Sequence, residues 1–184
     1  MGDTSPSVPR PRLLAAVPAP AEESSAALTF EDFYRRERRQ VLGLAYVLTG
    51  DQAAAEDVAQ DAFTAAFRSW PQVRACDAPG AWIRRVTCNR AASVLRRRLV
   101  EARAVLRLAR RTSSSIELDE GDAAFWQAVR RLPPRQAQVV ALFYFDDYSV
   151  RDIAAVLGCT EGTVKTHLSR ARAAVARHLD LEKP

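Results

Sequence analysis

The sequence predicts an all-α fold made of two small helical domains joined by a flexible linker. Apolar residues recur at the three- and four-residue spacing of amphipathic helices in two stretches, and no segment alternates apolar and polar residues as a half-buried strand does. Between residues 84 and 111 lie ten arginines against the one acid Glu101, followed by a run of serines and the acidic segment ELDEGD. This order of charges favours a helix tail that leads into a linker, and hence a domain boundary.

The same patterns divide the chain into four parts. Residues 1–27 are rich in Pro, Ser and Ala and poor in large apolar side chains, so they are expected to form a disordered arm. Residues 28–99 are predicted to form the first helical domain, residues 100–121 the linker, and residues 122–181 the second helical domain.

Three amphipathic helices make up the predicted first domain. Gly50 ends the first helix, because glycine tolerates the positive φ of a helix C-terminus, and Asp51 caps the second. The inner face of the second helix is predicted to include Phe63 and Phe67, which fall on its apolar stripe. Pro79 suits the first turn of the third helix.

The segment Ser149–Arg172 is typical of a helix-turn-helix. Gly158 stands where the first of its helices must end, and Thr160 is a good N-cap for the second. The second helix has an apolar seam that includes Val164 and Leu168, and it turns small and basic residues outward. Such a face suits a helix that enters the major groove, where bulky apolar groups would block approach. The alternative is an ordinary amphipathic hairpin with a solvated basic face.

Charge and cysteine content narrow the classes of function. The 184 residues carry a net charge of +5 and an isoelectric point of about 9.6, which fits a polyanionic partner. Cys76, Cys88 and Cys159 are isolated along the chain, so neither a disulfide framework nor a zinc site is expected, and no other metal or cofactor is indicated. Without a membrane-length apolar run or a signal peptide, the sequence predicts a cytoplasmic protein that does not insert into membranes.

The second predicted helix carries an acidic face, formed by Asp57 and Asp61 with Gln60 at its flank. Two carboxylates four residues apart repel each other slightly in an isolated helix. A basic partner surface would favour this arrangement. From the residues alone, a solvated face softened by Arg68 explains it equally well.

Three segments carry a family resemblance. Asp57–Phe63 (DVAQDAF) and Trp82–Arg97 (WIRRVTCNRAASVLRR) resemble region 2 of bacterial sigma factors, and the block Leu132–Arg172 resembles region 4. Nothing similar to region 3 lies between them, which is the pattern of the extracytoplasmic-function (ECF) group of the sigma-70 family. The resemblance covers about Leu28–Leu99 and Asp122–Leu179, in the order that the family has.

The resemblance implies an alternative sigma factor without catalysis of its own. Such a protein binds core RNA polymerase, directs it to the −10 and −35 promoter elements and helps to melt the DNA. An inhibitory anti-sigma protein is a further partner expected by family analogy, and no homo-oligomer is required.

The family's roles carry over to matching residues of this chain. The acidic face, Asp57, Gln60 and Asp61, matches the surface that binds core polymerase. The residues that match the −10 contacts are Arg84, Arg85, Asn89, Arg96 and Arg97. The residues that match the −35 contacts, or suit phosphate anchoring at the helix N-terminus, are Thr160, Thr163, Lys165, Thr166, His167, Ser169 and Arg170.

Some of these residues are assigned less directly than others. Helical periodicity independently places Thr166, Ser169 and Arg170 on the outward face. His167 falls toward the domain interior, so packing or a phosphate contact explains this residue as well as base reading does. Trp82 and Arg90 fall close to an apolar seam and are not assigned to DNA.

Two other classes of function compete with this interpretation. A conventional regulator would bind duplex DNA through the second domain and use the first to sense or dimerise, but it would not need the acidic face followed by an arginine-rich helix. A nucleic-acid enzyme would use Asp57 and Asp61 as metal ligands, but no third carboxylate, histidine cluster or nucleophile–base pair accompanies them.

Overall fold

The computed structural model describes the backbone of residues 28–105 and 120–181, and the side chains of residues 28–97 and 122–179. Over these ranges the regular structure is entirely helical, as predicted from the sequence. The helices are α1 (Phe30–Thr49), α2 (Gln52–Arg68), α3 (Trp70–Arg74), α4 (Pro79–Val105), α5 (Glu120–Arg130), α6 (Pro134–Tyr144), α7 (Val150–Leu157) and α8 (Glu161–Leu181).

Helices α1, α2 and α4 pack together as the first bundle, and the helix end predicted at Gly50 and the helix starts predicted at Asp51 and Pro79 are all found. Gly50 has φ +67° and its N–H donates to the carbonyl of Tyr46, which closes α1. The Asp51 side chain accepts a hydrogen bond from the backbone N–H of Ala54 at 2.8 Å and so caps α2. Pro79 begins α4. These local signals set where α1 ends and where α2 and α4 begin.

Helices α5 to α8 form the second bundle, with α7 and α8 as the helix-turn-helix. The Ser149 side chain accepts from the N–H of Asp152 at 3.1 Å, and Gly158 ends α7 with φ +65°. The Thr160 hydroxyl accepts from the N–H of Thr163 at 3.2 Å, as expected of an N-cap for α8. Val164 is fully buried, which orients α8 with its seam inward.

One prediction for the first domain is wrong. Phe67 was expected on the inner face of α2, yet it is 64% exposed. Its ring meets that of Phe30, the first residue of α1, edge-on at 5.1 Å between centroids. Phe63 is buried, as its place on the seam predicts.

Helix α4 extends beyond residue 99, the predicted end of the first domain. α4 continues to Val105, into the segment expected to be linker. The remainder of that segment from residue 106 to 119, and the predicted N-terminal arm, lie outside the described residues. The short helix α3, which the sequence patterns did not predict, connects α2 to α4.

The two bundles are packed directly against each other. α1 contacts α5 and α6, and α4 contacts α7. One cluster of buried apolar residues is continuous across this boundary, with Leu44 and Leu48 on one side and Trp126 and Leu142 on the other. Because removal of apolar surface from water drives association, this shared core favours a closed arrangement of the two domains.

Candidate nucleic-acid interface

The outer face of α8 has the features of a DNA-reading surface. Lys165, Thr166, Ser169 and Arg170 are all exposed there, on the side opposite to the buried seam. The Thr166 hydroxyl donates to the carbonyl of Gly162 at 2.9 Å. Small polar groups beside two cations allow close approach to a base-pair edge.

The N-terminus of α8 presents a second polar cluster. Thr160 and Thr163 are exposed, and their hydroxyls lie 2.9 Å apart. They stand beside the backbone N–H groups of the first turn, where the helix dipole favours a negative charge. This geometry suits a phosphate contact.

His167 is placed differently from its neighbours on α8. It is only partly exposed, and its Nδ1 is enclosed without a hydrogen-bond partner among the described residues. The ring therefore leans into the domain, in agreement with its position on the helical wheel.

Four of the five residues matched to −10 contacts lie on the exposed side of α4. They are Arg85, Asn89, Arg96 and Arg97. The Arg96 guanidinium donates to the Ser93 hydroxyl at 3.2 Å, which holds it along the helix. Together these side chains form a basic stripe that fits the backbone of a nucleic acid.

Arg84, the fifth residue matched to the −10 contacts, does not belong to the basic stripe. Its side chain is 10% exposed and lies between two carboxylates, with Nη1 2.6 Å from Glu37 and Nε 3.1 Å from Asp146. Burial by itself lowers the pKa of Arg84, but Asp146, Tyr148 and Glu37 outweigh it and raise the pKa above its usual range. In this arrangement Arg84 is a buried ion-pair partner and does not face DNA.

The acidic face of α2 is exposed as a whole, and it has a cationic neighbour on α4. Asp57, Gln60 and Asp61 are all exposed, and Asp61 lies 3.5 Å from the guanidinium of Arg90. Both partners are more than half exposed, so this pair contributes little to stability. The sequence assigned no role to Arg90. In the structure this residue lines a cavity of about 700 Å³ between the acidic face and the basic stripe.

An apolar cavity adjoins the acidic face on its other side. Its volume is about 560 Å³, and Gln60 lines both it and the neighbouring polar cavity. The aromatic lining includes Tyr34, Phe63 and the exposed Phe67. Sequence reasoning missed this feature, because Phe67 had been assigned to the core.

The described part of the chain contains neither a metal-binding cluster nor a membrane-spanning helix. No group of three or more His, Cys, Asp or Glu side chains stands together in the geometry of a metal site. In the same residues, no helix is both long and apolar enough to cross a bilayer.

Comparison with known families agrees with the division into two helical units. The profile of the Sigma-70 region 2 family matches residues 33–101, and that of the Sigma-70, region 4 family matches residues 122–175. The ECF RNA polymerase sigma factor SigM of Mycobacterium tuberculosis is 33% identical over 150 residues, which cover 82% of this chain and 76% of the relative. The chain belongs to the ECF group of the sigma-70 family.

A second relative places the chain in the same group of functions. The RNA polymerase sigma-E factor of Streptomyces coelicolor is 31% identical over 159 residues, covering 83% of this chain and 90% of the relative. The chain is therefore an alternative sigma factor that directs transcription initiation. A conventional helix-turn-helix regulator is not favoured, since the region 2 match covers residues 33–101, which are most of the first bundle.

Solved structures support the fold. The sigma factor RpoE of Bartonella quintana, in complex with the anti-sigma factor NepR, has a TM-score of 0.67 at 23% identity, covering 84% of this chain and 98% of that one. CnrH in complex with the cytosolic domain of CnrY has a TM-score of 0.59 at 22% identity, covering 84% and 89%.

Proposed function

We propose that this ECF factor engages core polymerase through the acidic face of α2, the −10 element through the basic stripe of α4, and the −35 element through α8. The observation that carries the proposal is the presence, in one chain and in the family's order, of three separate exposed faces of suitable charge. The factor would supply binding and orientation, and the polymerase the chemistry.

The −35 contact would be made in the major groove by α8. Arg170 is the candidate for a bidentate base contact, because a guanidinium matches the O6 and N7 acceptors of guanine. Lys165, Thr166, Ser169 and His167 would fill the rest of the groove or contact its edge. Thr160 and Thr163 would anchor a phosphate at the helix N-terminus and so fix the register.

The −10 contact requires base pairs to open, and opening costs a few kcal/mol for each unstacked base. Arg85, Arg96 and Arg97 would offset part of this cost through phosphate contacts, with Asn89 available for a base edge. Arg84 would join them only if its carboxylate partners released it.

Core polymerase would meet a surface with two chemistries. Asp57 and Asp61 offer negative charge to a basic partner, and the adjoining aromatic cavity around Tyr34 and Phe67 accepts an apolar side chain. A charged rim beside an apolar anchor is a common composition for a protein–protein interface.

Two further assignments follow from this function. An anti-sigma protein is a proposed partner, supported by the two solved proteins of this fold, which are described in complexes with an anti-sigma factor and with a cytosolic domain. A cytoplasmic location is proposed because core polymerase and chromosomal DNA are there.

Run-off transcription with purified core polymerase, with and without the protein, tests the proposal. We expect promoter-dependent initiation only when the protein is present. Templates with either the −10 or the −35 element scrambled serve as controls and should lose the product. If core polymerase gained no promoter-dependent initiation on any genomic template, the assignment of the three faces would fail.

A further inference from the structure

The apolar cavity beside the acidic face is a groove between α1 and α2. Phe30, Tyr34, Arg38 and Leu42 line it from α1 at four-residue intervals, so it follows that helix for about 18 Å at about 1.5 Å per residue. Tyr34 and Phe67, both in its lining, are the large apolar side chains that remain exposed among the described residues. Because apolar surface gains stability when it leaves water, a groove that contains both rings favours an occupant.

The two walls of this groove carry opposite charges. Arg38 is exposed on the α1 wall. Glu56 is exposed on the α2 wall, and the next residue, Asp57, belongs to the acidic face. An occupant that matches the groove therefore needs an apolar centre between a cationic part and an anionic part.

The segment that precedes α1 is attached at one end of the groove. Leu28 is partly buried against the apolar cluster that contains Phe33 and Phe63. Phe30, two residues later, meets the ring of Phe67 edge-on at 5.1 Å between centroids. Residues 1–27 are therefore tethered beside the exposed aromatic rings.

One part of this tethered sequence has the composition that the groove requires. The segment 10–23, RPRLLAAVPAPAEE, has its two arginines first, its three large apolar residues next and its two glutamates last. The arginines match Glu56 and the acidic face, the apolar residues match the aromatic lining, and the glutamates match Arg38.

The tether is long enough for this segment to reach any point of the groove. Residues 18–27 can extend to about 33 Å at about 3.3 Å per residue, which exceeds the length of the groove. A short tether holds its end at an effective concentration on the order of millimolar, so a contact with a Kd of roughly 0.1 mM would be made in most molecules.

We propose that residues 10–17 of this chain dock in the groove between α1 and α2 of the same molecule. Leu13 and Leu14 pack against Tyr34 and Phe67, and the two arginines lie near the acidic face. One consequence rests on the proposed function: core polymerase has to displace the segment before it binds this surface. Its apparent affinity is then reduced by the fraction of molecules in which the groove is free.

Photocrosslinking on the full chain tests the docking. p-Benzoylphenylalanine in place of Phe67 keeps an aromatic ring in the groove and, on irradiation, attaches to groups that contact it. The control places the same crosslinker at Gln72, an exposed residue of α3 that follows Trp70, whose ring meets Phe30 at 5.4 Å. We expect an intrachain link from position 67 to residues 10–17, found by mass spectrometry, at a yield at least about fivefold above that from position 72. Equal yields would overturn the docking, because a tethered segment without a preferred site reaches both positions by chance.

Substitutions before α1 separate docking from chance contact without altering the packed bundles, which circular dichroism checks. Leu13→Asp combined with Leu14→Asp removes the apolar contacts, so the link from position 67 should fall to the yield seen from position 72. Val8→Asp makes the same change outside the docking segment and should leave the link unchanged. A link that persists in the double variant would contradict the proposal.

A second copy of the chain is the competing occupant. A link between two molecules that replaces the intrachain link and increases with protein concentration would assign the groove to a dimer and overturn the docking.

The crosslinking result is independent of the proposed function, because it needs no polymerase. Its failure would leave the three assigned faces standing, whereas an intrachain link in a chain that gives no promoter-dependent initiation would refute only those faces. With both correct, the variant carrying Leu13→Asp and Leu14→Asp should bind core polymerase roughly two- to tenfold more tightly than wild type. Unchanged affinity would overturn the competition for the groove.

Discussion

The two helices assigned to promoter DNA, α4 and α8, differ in what the rest of the molecule does to their polar faces. On α8 the residues opposite to the buried seam are exposed, and they meet solvent or their own helix. On α4, Arg84 is buried in ion pairs with Glu37 and Asp146. Its neighbour Arg85 is exposed. Periodicity therefore identifies a polar position, but a distant segment decides whether that position is free to bind.

The largest expected effect tests the buried arginine. Arg84→Met leaves Glu37 and Asp146 without their shared cation, and loss of one partner from a buried pair costs about 3–5 kcal/mol. The free energy of unfolding from urea titrations should fall by that amount. Arg85→Met is the matched control, because an exposed substitution changes stability by no more than about 0.5 kcal/mol. Equal losses in the two variants would remove the distinction between these neighbours.

The next effect concerns the surface for core polymerase. Asp61→Arg places a cation where the partner is expected to be basic, and like charges across an interface cost several kcal/mol. Pull-down of core polymerase should weaken at least about tenfold. Asp77→Arg reverses an exposed acid in the turn before α4 and should bind as wild type does. Unchanged binding by Asp61→Arg would take the polymerase role away from the acidic face.

A smaller effect is expected on α8. Arg170→Ala should weaken binding to the −35 duplex by about 1–3 kcal/mol, provided that Arg170 makes a bidentate base contact. Fluorescence anisotropy on specific and scrambled duplexes measures it. Arg177→Ala, an exposed arginine two turns further on, is the control. An equal loss on both duplexes would identify Arg170 as a phosphate contact.

The smallest effect is a dependence of domain closure on pH. Burial raises the pKa of Asp146 to about 6, against the opposing effect of Arg84 and with added repulsion from Glu37 and Asp147. Opening returns this carboxyl toward its ordinary value of 3.8, so the closed form binds the proton more tightly. The free energy of domain closure should therefore become more favourable as pH falls through about 6. Above that pH it should no longer change.

Small-angle X-ray scattering at about pH 5 and pH 7.5 measures this change as a difference in the radius of gyration. Tyr148 also faces the pair, and burial raises its pKa above the ordinary value of 10, so it stays protonated over this range. Asp146→Asn removes the titrating group and should give the same radius of gyration at both values. A pH dependence that survives in Asp146→Asn would assign the effect to another group.

Local chemistry made much of the candidate site predictable. The cap at Asp51, the stop at Gly158 and the N-cap at Thr160 each depend on residues within four positions, so the boundaries of α2, α7 and α8 follow from the sequence. The outward residues of α8 follow from the position of Val164 on its seam. The family resemblance supplied roles that no residue pattern contains.

Two side chains differ in exposure from what helical periodicity predicted, because periodicity does not record which segments meet after folding. Phe67 lies on an apolar stripe but is 64% exposed, whereas Arg84 is polar but is enclosed by segments 47 and 62 residues away. The small helix α3 was missed because Trp70-Pro71 reads equally as a helix end and a helix start.

The sequence by itself thus determined the helices, their caps, the DNA-binding class and the family, because each rests on short-range hydrogen bonding, helical periodicity or a contiguous motif. Only the tertiary structure decided that the two domains are closed on each other, that Phe67 stays exposed, and that Arg84 is bound to its own chain. Those outcomes depend on which surfaces meet after folding, and no spacing along the chain records that choice.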